Sequence, residues 1–113
     1  MSLNRQNYQA FAMLLQQLGD YTTTAEVNAP ELRRMVASLQ QMFRQQIVPD
    51  SESDSRVQSY QTEISKQLRL LELDVTFFQG AKQVTTTQAR LQTIGHRLST
   101  LIQYCEAILQ LGD

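Results

Sequence analysis

Few side chains in this 113-residue chain have the types and spacing that chemistry requires. Its single histidine, His96, follows Gly95 between the apolar positions Ile94 and Leu98, which places it beside a packed face rather than in it. No Glu-x-x-His pattern accompanies it to build the metal sites that helical bundles carry. Glu72 and Asp74 could suggest acid–base work, but at i and i+2 on a helix they point about 200° apart and do not face one site. The lone cysteine, Cys105, cannot form an intramolecular disulfide, and its place on an apolar stripe makes it a small core residue rather than a reactive thiol. No glycine-rich phosphate loop, nucleophile elbow or Cys/His pair occurs. The expectation is a protein without catalytic residues, metal or cofactor.

The residues that do ask for an explanation are apolar. Leu68, Leu71, Val75 and Phe78 form one stripe at helical spacing, and Leu70, Leu73 and Phe77 form a second at spacings of three and four. One core needs both only if that helix is nearly surrounded, and helices that are apolar all round are most often simply buried. The alternative is an interface, with a second copy of the chain or with another protein. Basic residues recur near it: Lys66 and Arg69 are three apart, and Arg90 and Arg97 seven apart, so each pair shares a helix face that could dock an acidic surface. Solvated surface charge is the commoner role for such residues. Leu70, Leu73, Phe77, Lys66, Arg69, Arg90 and Arg97 are therefore the candidate protein interface.

These residues sit within four stretches of helical periodicity. Tyr8, Phe11, Leu15 and Leu18 mark the first; Leu32, Met35 with Val36, Leu39, Met42 with Phe43, and Ile47 mark the second. Val57, Tyr60, Ile64, Leu68, Leu71, Val75 and Phe78 mark the third, and Leu91, Ile94, Leu98, Leu101 with Ile102, Cys105, and Ile108 with Leu109 the fourth. Steps of three and four keep residues on one helix face, whereas strands alternate every residue. The fold class is all-α: an antiparallel bundle of four helices, up-down-up-down, in one domain from 1 to 113.

Local signals set the expected boundaries. The first helix runs from near Asn4 to Gly19, a residue that can take a left-handed cap, and the loop from Asp20 to Val27 holds three threonines. Asn28 caps the second helix, Pro30 fills its first turn, and the helix stops before Pro49. Pro49 to Ser55 is an acidic, solvated linker, and Ser55 with Gln58 makes a capping box for the third helix. Gly80 could end that helix, but the β-branched run favours a break at Val84 to Thr87, with Thr85 and Gln88 capping the fourth. The last two helices, about 25 residues each, form a hairpin near 37 Å long whose end outreaches the shorter pair.

With 10 basic and 11 acidic residues the formal net charge is −1, so no field draws the chain to nucleic acid. No segment approaches the ~18 apolar residues of a membrane span, and Met1 to Arg5 leads into a polar helix rather than a signal core. The expectation is a cytoplasmic protein without membrane insertion.

The block from Gln58 to Val75 (QSYQTEISKQLRLLELDV), the following Phe77-Phe78-Gln79, the ending Leu98 to Gln110 (LSTLIQYCEAILQ), and the opening Leu3-Asn4-Arg5 with Tyr8-Gln9-Ala10-Phe11 resemble the PatD family of heterocyst-frequency regulators of filamentous cyanobacteria. The likeness is one of overall wording across the chain, without a catalytic or ligand signature. It implies a non-enzymatic cytoplasmic protein that limits how many vegetative cells become heterocysts by binding the tubulin-like division protein FtsZ and altering its polymer assembly. It assigns no role to particular side chains. A generic helical scaffold or adaptor for another protein is the alternative, and a DNA- or small-ligand-binding regulator is disfavoured by the balanced charge and the missing recognition motif.

Overall fold

In a computed structural model, which describes residues 5–24, 26–48 and 54–111, the chain is an all-α bundle. Among the described residues there are four α-helices and no strand: α1 (Arg5–Thr22), α2 (Ala29–Met42), α3 (Ser55–Gly80) and α4 (Val84–Leu111), with a π-helical turn at Phe43–Ile47 continuing α2. α1 packs on α4 and α2, and α3 on α4 and α2, while the backbones of the diagonal pairs stay apart. The Arg5 guanidinium donates to the Leu109 carbonyl at 2.8 Å, which sets the start of α1 beside the end of α4. Together with the short connections this makes each helix antiparallel to its neighbours, in a body 49 × 20 × 20 Å.

One residue per turn or so from each helix closes the core. Tyr8, Phe11, Leu15 and Leu18 of α1 meet Leu32, Val36, Leu39, Phe43 and Ile47, and these meet Ile64, Leu68, Leu71 and Val75 of α3 and Ile94, Leu98, Leu101, Cys105 and Ile108 of α4. The Phe11 and Phe43 rings are tilted at 37° with centroids 6.1 Å apart. The π-turn has a cause in the same spacing. Leu39, Phe43 and Ile47 are successive steps of four, which in a regular α-helix rotate about 80° off the core direction. A wider turn holds Phe43 and Ile47 on the face, with the Val48 amide donating five residues back to the Phe43 carbonyl at 2.9 Å. The freed carbonyls find side chains: Asn7 Nδ2 donates to Gln46 O at 3.0 Å. Gln61 Nε2 donates to the buried Tyr8 hydroxyl at 2.7 Å and lies 3.4 Å from Ile47 O.

The boundaries depart from the sequence expectation in four places. α1 continues through Gly19, which has no positive φ, to Thr22. The hydroxyls of Thr22, Thr23 and Thr24 donate to the carbonyls of Gly19, Asp20 and Tyr21 at 2.7, 2.7 and 2.8 Å, so threonine side chains rather than a left-handed glycine finish the helix. α3 is capped by Asp54, whose carboxylate accepts the Arg56 amide at 2.8 Å, and not by Ser55. Asp54 thus leaves the passive linker to which it was assigned; Pro49, Asp50 and Glu52 lie outside the described residues. The break between α3 and α4 falls at Ala81 to Gln83, and Thr85 to Thr87 belong to the first turn of α4. Branched side chains lose freedom against a preceding turn, and a first turn has none, so the threonine run costs little there. No Thr85 cap forms; the Thr87 amide bonds the Gln83 carbonyl at 2.9 Å instead.

Asn28 and Pro30 act as expected, the Asn28 side chain accepting the Glu31 amide at 3.0 Å. α3 and α4 hold 26 and 28 residues, a long hairpin. From Lys82 to Ala89 every residue except Thr87 is exposed at its tip.

A candidate protein-interaction face

α3 is not surrounded. In a four-helix square each helix touches two neighbours along its sides and faces the diagonal helix across the core, which leaves an outward sector open. Leu70, Leu73 and Phe77 lie in that sector, 37%, 48% and 51% exposed. The reading of α3 as a central helix therefore fails on geometry: three neighbours cannot enclose it. Val84 adds a further exposed apolar side chain at the hairpin tip.

The basic candidates separate into two groups. Lys66 and Arg69 are exposed and flank the apolar stripe on α3 itself. Lys66 Nζ stands 3.1 Å from Glu63 Oε2, a solvent-exposed pair of small energetic weight. Arg69 and the exposed Glu72 make no ion pair among the described residues. Arg90 and Arg97 do share a face of α4, but it is the face turned toward α3. The Arg90 guanidinium lies over the Phe77 ring, 4.8 Å from its centroid, where the ring's negative face attracts the cation. Arg97 is only 26% exposed on its side chain and is bound to Asp74. It is bound within the α3–α4 contact, where it serves Asp74 as a structural partner.

Asp74 is the one buried charged residue among those described, 5% exposed. Arg97 Nε donates to its Oδ2, and Arg97 Nη1 is 3.5 Å from Gln67 Oε1. Glu72, by contrast, points to solvent, so the two carboxylates face apart as their spacing requires. The sequence carried a signal for Asp74: it sits three residues after Leu71 and four before Phe78, within the core stripe, where an acid needs a partner of opposite charge.

A groove that the sequence did not announce opens beside the stripe. It has a volume of about 630 Å³ and lies between the π-turn and α3, with Phe43, Val48, Gln61, Lys66, Arg69 and Leu70 on its walls. Its described lining holds no carboxylate, histidine or cysteine, so it supplies no pair of groups for proton transfer. His96 is exposed on α4. Cys105 is fully buried, and the loss of hydration there, with a smaller contribution from Glu106, pushes its thiol up to about 12. The described residues contain no group of three metal-ligating side chains and no helix long and apolar enough to cross a membrane. What the arrangement offers is a surface: an apolar stripe two helical turns long, with basic side chains on its edge. The chain matches no protein-family model, no curated protein and no solved structure.

Proposed function

We propose that this chain is a non-enzymatic interaction protein of the PatD kind, acting in the cytoplasm to restrain heterocyst frequency by binding FtsZ and modulating its polymer assembly. The resemblance of the α3 and α4 wording to that family supplies the partner. The observation that carries the interaction role is the outward stripe of Leu70, Leu73 and Phe77, flanked by Lys66 and Arg69. Exposed apolar side chains in a contiguous patch cost nothing to fold but gain by being covered, which is the signature of a binding surface. Linkage sets the mechanism: a protein that binds polymerised FtsZ more tightly than the monomer shifts assembly toward polymer by the difference in affinity, and one that prefers monomer shifts it back. Sedimentation of FtsZ with GTP, with and without this protein, tests the reading. Co-pelleting with a changed polymer mass is the expected result. Neither co-pelleting nor a change in polymer mass removes FtsZ as partner and leaves a helical adaptor for another protein.

A further inference from the structure

The groove beside the stripe is longer than its first 630 Å³. Phe43, Val48, Ser65 and Arg69 also line a second volume of about 420 Å³ that continues it along α3. Together the two make one trough between the π-turn and α3, and its α3 wall runs from Gln58 to Glu72, about 21 Å at 1.5 Å per residue. That length suits an extended stretch of chain better than a compact small molecule. The floor is apolar, with Phe43 and Leu68 below and Val48 and Leu70, 44% and 37% exposed, on the walls. The charges around it are lopsided. Arg44 from the π-turn and Lys66 and Arg69 from α3 stand against one acid, Glu72 at the far end, in a chain whose 10 basic residues are outnumbered by 11 acidic ones. Lys66 is engaged by Glu63 at 3.1 Å, whereas Arg44 and Arg69, one on each wall, are exposed and make no ion pair among the described residues. Each guanidinium presents a planar fork of donors that matches a carboxylate.

We infer that this trough takes an acidic segment of a partner protein, with a leucine- or phenylalanine-type side chain seated on Phe43, Val48 and Leu70 and carboxylates paired with Arg44 and Arg69 across it. The inference rests on the reading of this chain as an interaction protein and states the chemistry that its partner must present. Two solvent-exposed ion pairs alone carry little weight, and an apolar anchor alone fixes no direction along the trough. The two together set both grip and register. A basic segment of the same shape is rejected, because it would place like charges beside Arg44 and Arg69. The trough is open along one side and shorter than a standard interface, so the contact is reversible, with a dissociation constant of roughly 10–100 μM.

Fluorescence anisotropy of labelled peptides titrated with the full chain tests it. The probe is a peptide repeating Glu-Leu-Asp-Phe; one control carries Lys at every acidic position and a second carries Ser at every apolar one. The acidic, apolar peptide should bind, more weakly as salt rises, and neither control should. Arg44→Glu with Arg69→Glu, both at exposed positions, should leave helical circular dichroism unchanged, weaken the acidic peptide about tenfold, and gain the Lys peptide. Equal binding of acidic and basic peptides overturns the inference, as does a charge-reversed variant that keeps the acidic one. Binding that appears only after Asp50→Asn and Glu52→Gln also overturns it, since the chain's own acidic stretch would then be the occupant. Should the charge-reversed variant lose the peptide but still co-pellet with FtsZ, FtsZ does not use the trough and the acidic-segment inference stands. Should FtsZ co-pellet with the parent chain while no peptide binds, the inference falls and the FtsZ reading is kept.

Discussion

On the same turns of α3, Leu68, Leu71 and Val75 are sealed in the core, while Leu70, Leu73 and Phe77 stand in water. The two stripes have the same spacing, the same kinds of side chain and the same local helix, yet one holds the bundle together and the other contributes little to it. The difference lies in what stands opposite. The inner stripe faces the core, with α2 and α4 at its sides; the outer one is left roughly half exposed, with the Arg90 guanidinium over Phe77 and Leu70 at the wall of the groove beside the π-turn. Apolar periodicity thus marks faces that gain by being covered, and does not by itself say that the chain's own core covers them.

The largest test of that contrast is truncation on the inner stripe. Leu71→Ala should lose about 2–5 kcal/mol of unfolding free energy, read by denaturant melts, because a buried leucine leaves both lost contacts and a cavity. A loss below 1 kcal/mol would mean that the inner stripe is not the core.

The interior can also be probed chemically through Cys105, which lies on the core side of α4. Its thiol is shifted from 9.0 to about 12, so at neutral pH the native protein holds about a thousandfold less thiolate than an exposed cysteine, and its reaction with a disulfide reagent should slow by at least that factor until unfolding. The sign for stability follows. Above pH 9.0 the unfolded chain loses the thiol proton and the folded chain keeps it, so this contribution is intact below pH 9.0 and declines toward pH 12. Cys105→Ala should remove that part of the alkaline destabilisation.

Between core and surface stands the Asp74–Arg97 pair. Arg97→Ala strands a buried carboxylate and should cost about 3 kcal/mol, the lower end for a broken buried pair because Arg97 keeps some access to water. Replacing Asp74 by Leu and Arg97 by Met together should recover most of the loss, since two apolar side chains remove the uncompensated charge. If the single variant were as stable as the parent, the pair would be no more than surface charge.

A smaller effect belongs to the start of α3. Asp54→Ala should lower the melting temperature by a few degrees and expose the first amides of α3 to hydrogen exchange. The Arg56 side chain and the backbone amides hold the Asp54 carboxyl below its usual value, so the cap is intact above about pH 4 and weakens as pH falls through the lowered value. Smallest of all is Leu73→Ala, which should leave monomer stability within about 0.5 kcal/mol, as for a surface site. A cost as large as that of Leu71→Ala would erase the contrast between the two faces.

Most of the helical architecture was legible beforehand because it is written locally. The inward residues Tyr8, Phe11, Leu15 and Leu18 read directly from their spacing, and Asn28 with Pro30 announced α2, since capping needs only the backbone amides a turn away. Where local signals competed, the reading went astray. Gly19 can cap a helix but need not, and Thr22 to Thr24 ended α1 with their hydroxyls instead. Asp54 displaced Ser55, and the threonines of α4 were tolerated in a turn with nothing behind it. The π-turn needed knowledge that both Phe43 and Ile47 must reach one core.

The sequence by itself determined that this chain folds as amphipathic helices, which residues line their inner faces, and that α3 carries apolar residues beyond what one face requires, because these follow from period, caps and turn chemistry within a few residues. Only the tertiary structure decided which stripe of α3 is core, that Arg97 serves Asp74 while Arg69 makes no ion pair among the described residues, and that a groove opens between the π-turn and α3. Those outcomes depend on which helices stand beside α3 and how far each reaches, relations between residues 20 to 70 apart in the chain that no local pattern encodes.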